Sequence, residues 1–326
     1  MKVTIYDIAK EAGTSPSTVS RVLNSSSLIS DEKSSKILKA AEKLGYKKRS
    51  IRKQRGRAVL SVKLILGRLK NPKLPLVYSV PDLIQGIKEG VPENQLNIIC
   101  ETDSEPDQLF QNKKAGHTDA LIFAFMNLPK KTKEHLDSNN IPYLVLNRAP
   151  AGQDFIAFNN EDGMNKVATA ALNKRKNPVP VFLEMNPRLE VTIERRKGYY
   201  DACSAFGIDK PDVVTIKGID EINSKLVKKF KKSGYNCIIC MNDIIAATFM
   251  IRAFDEGFHF PKDFSLTGFD GSSVTNILPC KLDTISLEVQ ELGQKAGEWI
   301  SKRVIAREEE KFQIRINGKH IKGDTT

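Results

Sequence analysis

The sequence predicts an α/β protein in which a small all-α helix-turn-helix head precedes two doubly wound parallel-sheet lobes. Three observations lead there. Residues 1–46 carry three short helical patterns separated by glycine or polar breaks. Residues 1–60 hold 14 Lys/Arg against 5 Asp/Glu, whereas the rest of the chain holds 37 against 34. From residue 59 onward, short apolar runs alternate with amphipathic stretches, as strands joined by crossover helices do.

Bulk properties narrow the class. A chain of 326 residues needs two or three compact cores. With 40% hydrophobic and 28% charged residues, its composition is ordinary for a globular protein. No apolar run approaches the roughly 20 residues that span a bilayer, and the opening Met1-Lys2-Val3-Thr4 lacks an apolar signal region. A cytoplasmic protein without membrane contact is expected. The five cysteines, Cys100, Cys203, Cys237, Cys240 and Cys280, read as free thiols of a reducing compartment. Of the formal net charge of +12, +9 lies in the first 60 residues. That asymmetry points to a polyanion such as nucleic acid; a solvated basic tail or a patch for acidic lipid is the alternative.

The head begins at Thr4, an N-cap with Asp7 three residues on. Ile5, Ile8, Ala9 and Ala12 then form one apolar stripe, and Gly13 ends the helix. Ser15 caps a second helix with Pro16 at its first position, where a missing N–H costs nothing. Val19, Val22 and Leu23 face inward there, while Ser17, Ser20 and Arg21 face out. A third helix opens at Ser30, with Asp31 and Glu32 suiting its N-terminus. Ile37, Ala40, Ala41 and Leu44 make its stripe, and Gly45 ends it. Such an arrangement is a helix-turn-helix; a three-helix bundle for protein contacts is the alternative, and the charge and the polar outer face favour DNA.

The run from Thr4 to Asn24, TIYDIAKEAGTSPSTVSRVLN, resembles the opening of LacI/GalR-family transcription regulators, with Thr18-Val19-Ser20-Arg21-Val22 its most characteristic part. The resemblance implies that Pro16, Ser17 and Arg21 occupy base-reading positions. It also implies that Thr4, Ser15, Thr18, Ser20 and Asn24 belong to the DNA-binding surface. Arg21 could pair bidentately with guanine, and Pro16 could at most pack on a thymine methyl.

Residues 47–57, KKRSIRKQRGR, depart from the family. Lys48 and Arg49 stand where relatives carry Pro-Asn, and Arg55 where they carry the leucine that wedges into the minor groove. Arg55-Gly56-Arg57 instead resembles the core of an AT-hook, whose guanidiniums sink into a narrow A·T minor groove. A basic tether touching only phosphates is the alternative. Arg52, Arg55 and Arg57 are candidate DNA contacts in either case.

Strands are expected at residues 59–66, 96–100, 120–125, 143–146, 155–158, 179–183, 213–216, 237–241, 264–267 and 284–287. A helix over residues 243–256 shows Ala247, Met250, Ile251 and Phe254 as its stripe. Ligands of such sheets sit beyond the carboxyl ends of the strands, and two facing lobes make a cleft that a hinge can close.

The resemblance extends here. Cys240-Met-Asn-Asp243, the stretch from Glu256 to Asp270, Glu194-Arg195 through Tyr199, and Leu144-Val-Leu-Asn147 are all similar to LacI/GalR effector domains. It implies a periplasmic-binding-protein-like fold of type I with Asn147, Arg195, Asn242 and Asp270 at the effector, chemistry suited to a polyhydroxylated metabolite such as a sugar. Read residue by residue, each could equally be a strand-end cap or an ion pair, and the Asn242-Asp243 pair also suits a helix cap. Many relatives carry Asp at position 147. The stretch after the first strand, Asn71-Pro72-Lys-Leu-Pro-Leu-Val-Tyr78, is unlike theirs and suggests Leu74 and Tyr78 as cleft residues.

The expected domains are therefore 1–46 (DNA-binding head), 47–58 (basic linker or hinge) and 59–326 (effector domain). Within the last, residues 59–157 and 288–310 form one lobe, and 158–287 and 311–326 the other. No catalytic signature emerges. His117, His135, His259 and His320 are scattered, no nucleophile elbow or phosphate loop occurs, and Cys237/Cys240 on a strand would face opposite ways. Neither a metal nor a cofactor is expected. The expected function is that of a ligand-responsive repressor acting as a homodimer on a near-palindromic operator, without the heptad tail that would make a tetramer. Two other readings stay open: an architectural binder of AT-rich DNA with degenerate lobes, and a sugar- or nucleoside-processing enzyme with a DNA-binding head.

Overall fold

The structure, a computed structural model, describes residues 3–23, 30–46, 59–67, 78–91, 95–102 and 118–326. The chain divides into two compact units, residues 1–58 and 59–326.

In the first unit, helices α1 (Ile5–Ala12), α2 (Pro16–Leu23) and α3 (Asp31–Lys43) pack around one small core. The Asp7 carboxylate accepts from both the N–H and the hydroxyl of Thr4, each at 2.7 Å, holding the first turn of α1. Gly13 ends that helix at φ 63°, in the left-handed region where a side chain would be strained. Ser15 Oγ accepts from the Thr18 N–H at 3.1 Å and caps α2, with Pro16 at its first position. Ile8, Ala9, Ala12, Val19, Val22, Ile37, Ala40 and Ala41 form the buried core, with Ile5, Leu23 and Leu44 packed at its margin. Four alanines in that set keep three short helices close enough to share it.

The second unit holds a six-stranded parallel sheet in the order β11-β5-β4-β3-β1-β2. Its strands are β1 (Val59–Leu66), β2 (Gln95–Thr102), β3 (Ala120–Ala124), β4 (Tyr143–Leu146), β5 (Phe155–Phe158) and β11 (Gln313–Ile316). A four-stranded parallel sheet, β7-β6-β8-β9, is built from β6 (Pro180–Met185), β7 (Asp212–Ile216), β8 (Cys237–Cys240) and β9 (Ser265–Thr267). An antiparallel pair, β10 (Thr284–Ser286) with β12 (Lys319–Ile321), completes the second lobe. Helices α4 (Val80–Glu89), α5 (Lys130–Ser138), α6 (Asn160–Asn173), α7 (Glu190–Ala205), α8 (Ser224–Lys232), α9 (Asp243–Asp255) and α10 (Val289–Trp299) connect them. Strands such as β3 and β8 are apolar throughout because helices cover both faces.

Two close approaches position the first lobe. Gly86 of α4 and Gly90, its C-cap, lie against Gly293 and Gly297 of α10, so near that a Cβ at any of them would overlap the facing backbone. Asp154, 7% exposed, accepts from Trp299 Nε1 at 2.8 Å, from Arg303 Nε at 2.9 Å and from the Phe312 N–H at 3.1 Å. That carboxylate ties the β4–β5 connection to the end of α10 and the start of β11.

Two expectations need correction. Residues 311–326 do not lie wholly in the second lobe: β11 pairs in parallel with β5 of the six-stranded sheet, and only β12 pairs with β10. Both strands escaped the sequence reading because they are short edge strands whose exposed Gln313, Arg315 and Lys319 dilute the apolar signal. The stripe expected on α9 holds at Ala247 and Met250, which are buried, and fails at Ile251. Ile251 is 47% exposed, whereas Ile245, Ala246, Phe249 and Ala253 are buried. A helix that is apolar nearly all round offers periodicity no single face to select.

Candidate functional site

The site of the second unit is built at the carboxyl ends of its strands. In the second lobe, α7 carries Arg195 to the end of β8. The guanidinium donates to Met241 O at 2.7 Å, to Asp270 Oδ1 at 2.8 Å and to Asn160 Oδ1 at 2.9 Å, and lies 3.9 Å from the centre of the Phe269 ring. Both partners of the Arg195–Asp270 pair have side chains 4% exposed. Burial pushes the Asp270 carboxyl above the ordinary carboxylate range, and the Arg195 charge and hydrogen bond pull it back. Asn160 donates on to Glu194 Oε2 at 2.9 Å, whose other oxygen accepts from Arg315 at 2.9 Å.

Asp243, fully buried, accepts from the Ser272 N–H at 2.7 Å and the Thr284 hydroxyl at 2.5 Å. Burial, followed by the neighbouring Asp270 charge, pushes its pKa up to about 7. Asn242 accepts from the Ile245 N–H at 3.0 Å and so caps α9.

The first lobe presents a different edge. Asn147 follows β4 at φ 57° and Phe125 follows β3 at φ 60°, two non-glycine residues in the left-handed region. Such strain, about 1–3 kcal/mol each, persists only where surroundings enforce it. Asn147 is 6% exposed, and its Oδ1 has no hydrogen-bond partner among the described residues. Arg148, 8% exposed, donates to Asn147 O at 2.5 Å and to Phe125 O at 3.3 Å, and its Nε has no partner among the described residues. Tyr78 stacks on Phe125 with ring centres 3.6 Å apart, and burial pushes its hydroxyl up to about 12. The Ala149 N–H donates to Glu190 Oε1, at the start of α7, at 3.0 Å, a bond between the lobes like that of Arg315 on β11 with Glu194 on α7.

Of the expected effector residues, Arg195 and Asp270 are bonded directly, and Asn242 follows the Met241 carbonyl that Arg195 holds. Asn147 and Tyr78 belong to the first-lobe edge and are linked through Phe125 and Arg148. Leu74 lies outside the described residues. Sequence reasoning missed Asn160, Asp243, Arg148, Phe125 and Glu190. Only Arg148 and Asp243 carried a signal, each a charge ending an apolar run.

In the head, Ser15 and Ser17 are exposed, and Pro16, Thr18 and Ser20 half-buried. Ser15 Oγ lies 2.8 Å from both Ser17 Oγ and Thr18 Oγ1, a hydroxyl cluster on the first turn of α2. Thr4 is exposed at the start of α1. The side chain of Arg21, and Asn24, Arg52, Arg55 and Arg57, lie outside the described residues, as does the Arg55-Gly56-Arg57 stretch.

Cys237 and Cys240 are both buried in β8, and burial raises both thiols, Cys237 to about 12. Among the described residues, no group of three His, Cys, Asp or Glu is placed to hold a metal, and no helix is long and apolar enough to cross a membrane.

Residues 4–48 match the family described as bacterial regulatory proteins, lacI family, and residues 73–323 match periplasmic binding proteins and sugar binding domain of LacI family. The chain belongs to the LacI family. It is accordingly a DNA-binding transcription regulator with a metabolite-binding domain. This LacI-family chain is 26% identical over 340 aligned residues to the ribose operon repressor of Halalkalibacterium halodurans, covering 99% of this chain and 97% of that protein. A solved complex of the transcriptional regulator CelR with cellobiose shares its fold at a TM-score of 0.70 and 17% identity, with all of both chains covered. The lac repressor dimer bound to operator and an anti-inducer shares it at a TM-score of 0.65 and 19% identity, with 100% and 99% covered.

Proposed function

We propose that this chain is a sequence-specific repressor, with no enzymatic activity, that senses a sugar or sugar derivative in the cytoplasm. The observation that carries the reading is the coexistence of two sites. One is a capped α2 with Ser15, Ser17 and Thr18 on its outer first turn. The other is the buried Arg195–Asp270–Asn160 network at the strand ends of the second lobe.

In the proposed mechanism, two chains associate through their effector domains, and each α2 enters the major groove of one half of a near-palindromic operator. Ser17 and Arg21 read base edges, and Pro16 packs against them. Thr4, Ser15, Thr18, Ser20 and Asn24 hold backbone and register, and Arg52, Arg55 and Arg57 add contacts along the linker. The effector occupies the cleft bordered by Asn147, Tyr78, Arg195, Asn242 and Asp270. Its preference for the closed cleft biases the DNA-bound form by linkage. A lac repressor dimer on operator, and relatives named for ribose and cellobiose, support the dimer, the operator and the sugar class.

The test selects binding sites from a random duplex library and measures anisotropy on the enriched site, with and without ribose, cellobiose and other sugars. Selection should yield one near-palindromic site, and at least one sugar should change its affinity. Arg21→Ala should cost about 1–3 kcal/mol of discrimination at one base pair per half-site while leaving non-specific binding intact. A purified chain that enriches no site fails the proposal.

A further inference from the structure

We propose that Asp243 is a positioning residue of the effector site: it clamps the turn that carries Asp270, and sensing is thereby coupled to the protonation of a carboxyl sealed from solvent. The inference rests on the sugar-sensing reading above and deepens it.

The turn is one that needs holding. Asp270 sits at φ 108°, a non-glycine residue in the left-handed region, and Gly271 follows at φ 62°. Such backbone persists only where its surroundings over-determine it. Asp243, the first residue of α9 and fully buried, grips the turn on both sides. Its N–H donates to Phe269 O at 2.8 Å, one residue before Asp270. Its Oδ2 accepts from the Ser272 N–H at 2.7 Å, two residues after. Oδ1 accepts from the Thr284 hydroxyl of β10 at 2.5 Å. The chain running on from Thr284 closes the same turn. The Asp270 N–H donates to Ile285 O at 2.8 Å, and Asp270 O accepts from the Leu287 N–H at 3.1 Å. Gly268 makes room for the grip, since a Cβ there would overlap Asp243 Oδ1. Leu287 lies two residues before α10, the helix seated on α4 in the first lobe. One carboxyl thus joins α9, the Asp270 turn and the segment that passes from one lobe to the other.

The charges around Asp243 decide how firmly it holds. Asp270, beyond β9, opposes ionisation of Asp243. Cys240, at the end of β8, feels the Asp243 charge, and burial pushes its thiol up. Arg195 of α7 is directed to Asp270 at 2.8 Å. Asp283, beside Thr284, turns instead to His320 at 2.6 Å. One guanidinium therefore serves two carboxyls. With a proton on Asp243, Arg195 and Asp270 form a matched pair; with Asp243 ionised, one negative charge is uncompensated where water is excluded. An effector that closes the cleft removes more water and so favours the uncharged form. Binding then takes up a proton. It weakens as pH rises through about 7, where burial and the Asp270 charge put the Asp243 carboxyl.

The experiment has two arms on the full-length protein at pH 6, 7 and 8. Amide hydrogen exchange, corrected for intrinsic rates, compares residues 268–287 with strands β3 and β4. Calorimetric titration with ribose, glucose and cellobiose, in two buffers of different ionisation enthalpy, counts protons taken up. In the wild type, residues 268–287 should lose protection on the order of tenfold between pH 6 and 8 while β3 and β4 do not. Asp243→Asn should keep protection at every pH, since its amide offers an acceptor to the Ser272 N–H and a donor to Thr284. Asp243→Ala should lose protection at every pH. A sugar that binds should bring proton uptake and lose affinity on the order of threefold from pH 6 to 8, a dependence absent in Asp243→Asn.

Equal protection in the wild type and Asp243→Ala overturns the clamp. Sugar binding without proton uptake, or with a pH dependence that survives in Asp243→Asn, overturns the coupling. If none of the three sugars binds, the sugar-sensing reading loses its support, and the exchange arm decides this inference: a pH-dependent loss of protection that Asp243→Asn abolishes sustains it, and a flat profile overturns it. Should Asp243→Ala not fold, Thr284→Val, which removes the donor to Oδ1, takes its place; unchanged protection of residues 268–287 in that variant counts against the clamp.

Discussion

The two lobes of the effector unit treat their polar residues in opposite ways. In the second lobe the charged groups are answered by protein, Arg195 by Asp270, Met241 and Asn160, and Asp243 by Ser272 and Thr284, while Asn242 caps the first turn of α9; the Thr267 and Ser272 hydroxyls are buried without a partner among the described residues. In the first lobe Asn147 Oδ1 and Arg148 Nε are buried without partners among the described residues; positive φ occurs in both lobes, at Phe125 and Asn147 here and at Asn186 and Asp270 there. One lobe thus behaves as a pre-organised frame whose side chains support one another. The other leaves an amide oxygen and a guanidinium N–H unpaired among the described residues. Unmet valence beside a pre-organised frame is the arrangement in which an arriving ligand gains most, because the frame has little left to reorganise.

Three substitutions test that contrast, beginning with the largest effect. Arg195→Ala strands Asp270 next to Asp243 in a dry environment. It should destabilise the effector unit by about 3–5 kcal/mol and abolish the effector response, as read by urea midpoint and by sugar-dependent anisotropy. A loss below about 1 kcal/mol would place the second lobe in the same class as the first.

The next test is a pH profile. Asp243 is raised from 3.8 to about 7 in the folded chain, so folding retains a proton there that the unfolded chain releases. Its contribution is complete below about pH 4 and is lost as pH rises through about 7, on the order of 4 kcal/mol over that window. Asp243→Asn should flatten this decline in denaturation midpoints. Parallel profiles for the two proteins would show that the carboxyl is ionised throughout.

The smallest effect is expected in the first lobe and has the opposite sign. Asn147→Gly removes an unpaired buried oxygen at a position whose φ suits glycine. It should leave stability unchanged or raise it by about 1 kcal/mol while weakening effector binding, a separation visible by pairing thermal melts with ligand titration. A clear loss of stability would mean that Asn147 supports the fold as Arg195 does.

The legible parts of this protein were those where one local rule dominates. The caps at Ser15, Gly13 and Gly45 follow from backbone chemistry and stand where expected. Strands such as Val59–Leu66 and Tyr143–Leu146 matched their expected bounds, because strands covered on both faces are written as unbroken apolar runs. The strand Gln313–Ile316 was illegible, since an edge strand with one solvated face looks like a polar loop until its partner is known. Ile251 was misread because α9 is apolar on more than one face.

By itself the sequence determined the head, the charge asymmetry, the alternation of strand and helix, and the identity of Arg195 and Asp270 as residues worth placing. Each is written in neighbours along the chain, or in a run of residues shared with a family. Only tertiary structure decided that Arg195 meets Asp270 across 75 positions of chain, that α4 and α10 touch through glycines, and that Arg148 is buried with its Nε unpaired among the described residues. Whether a charge is paired depends on what the rest of the fold brings within a few ångströms and on how much water it excludes, and neither quantity is carried by any local stretch of residues.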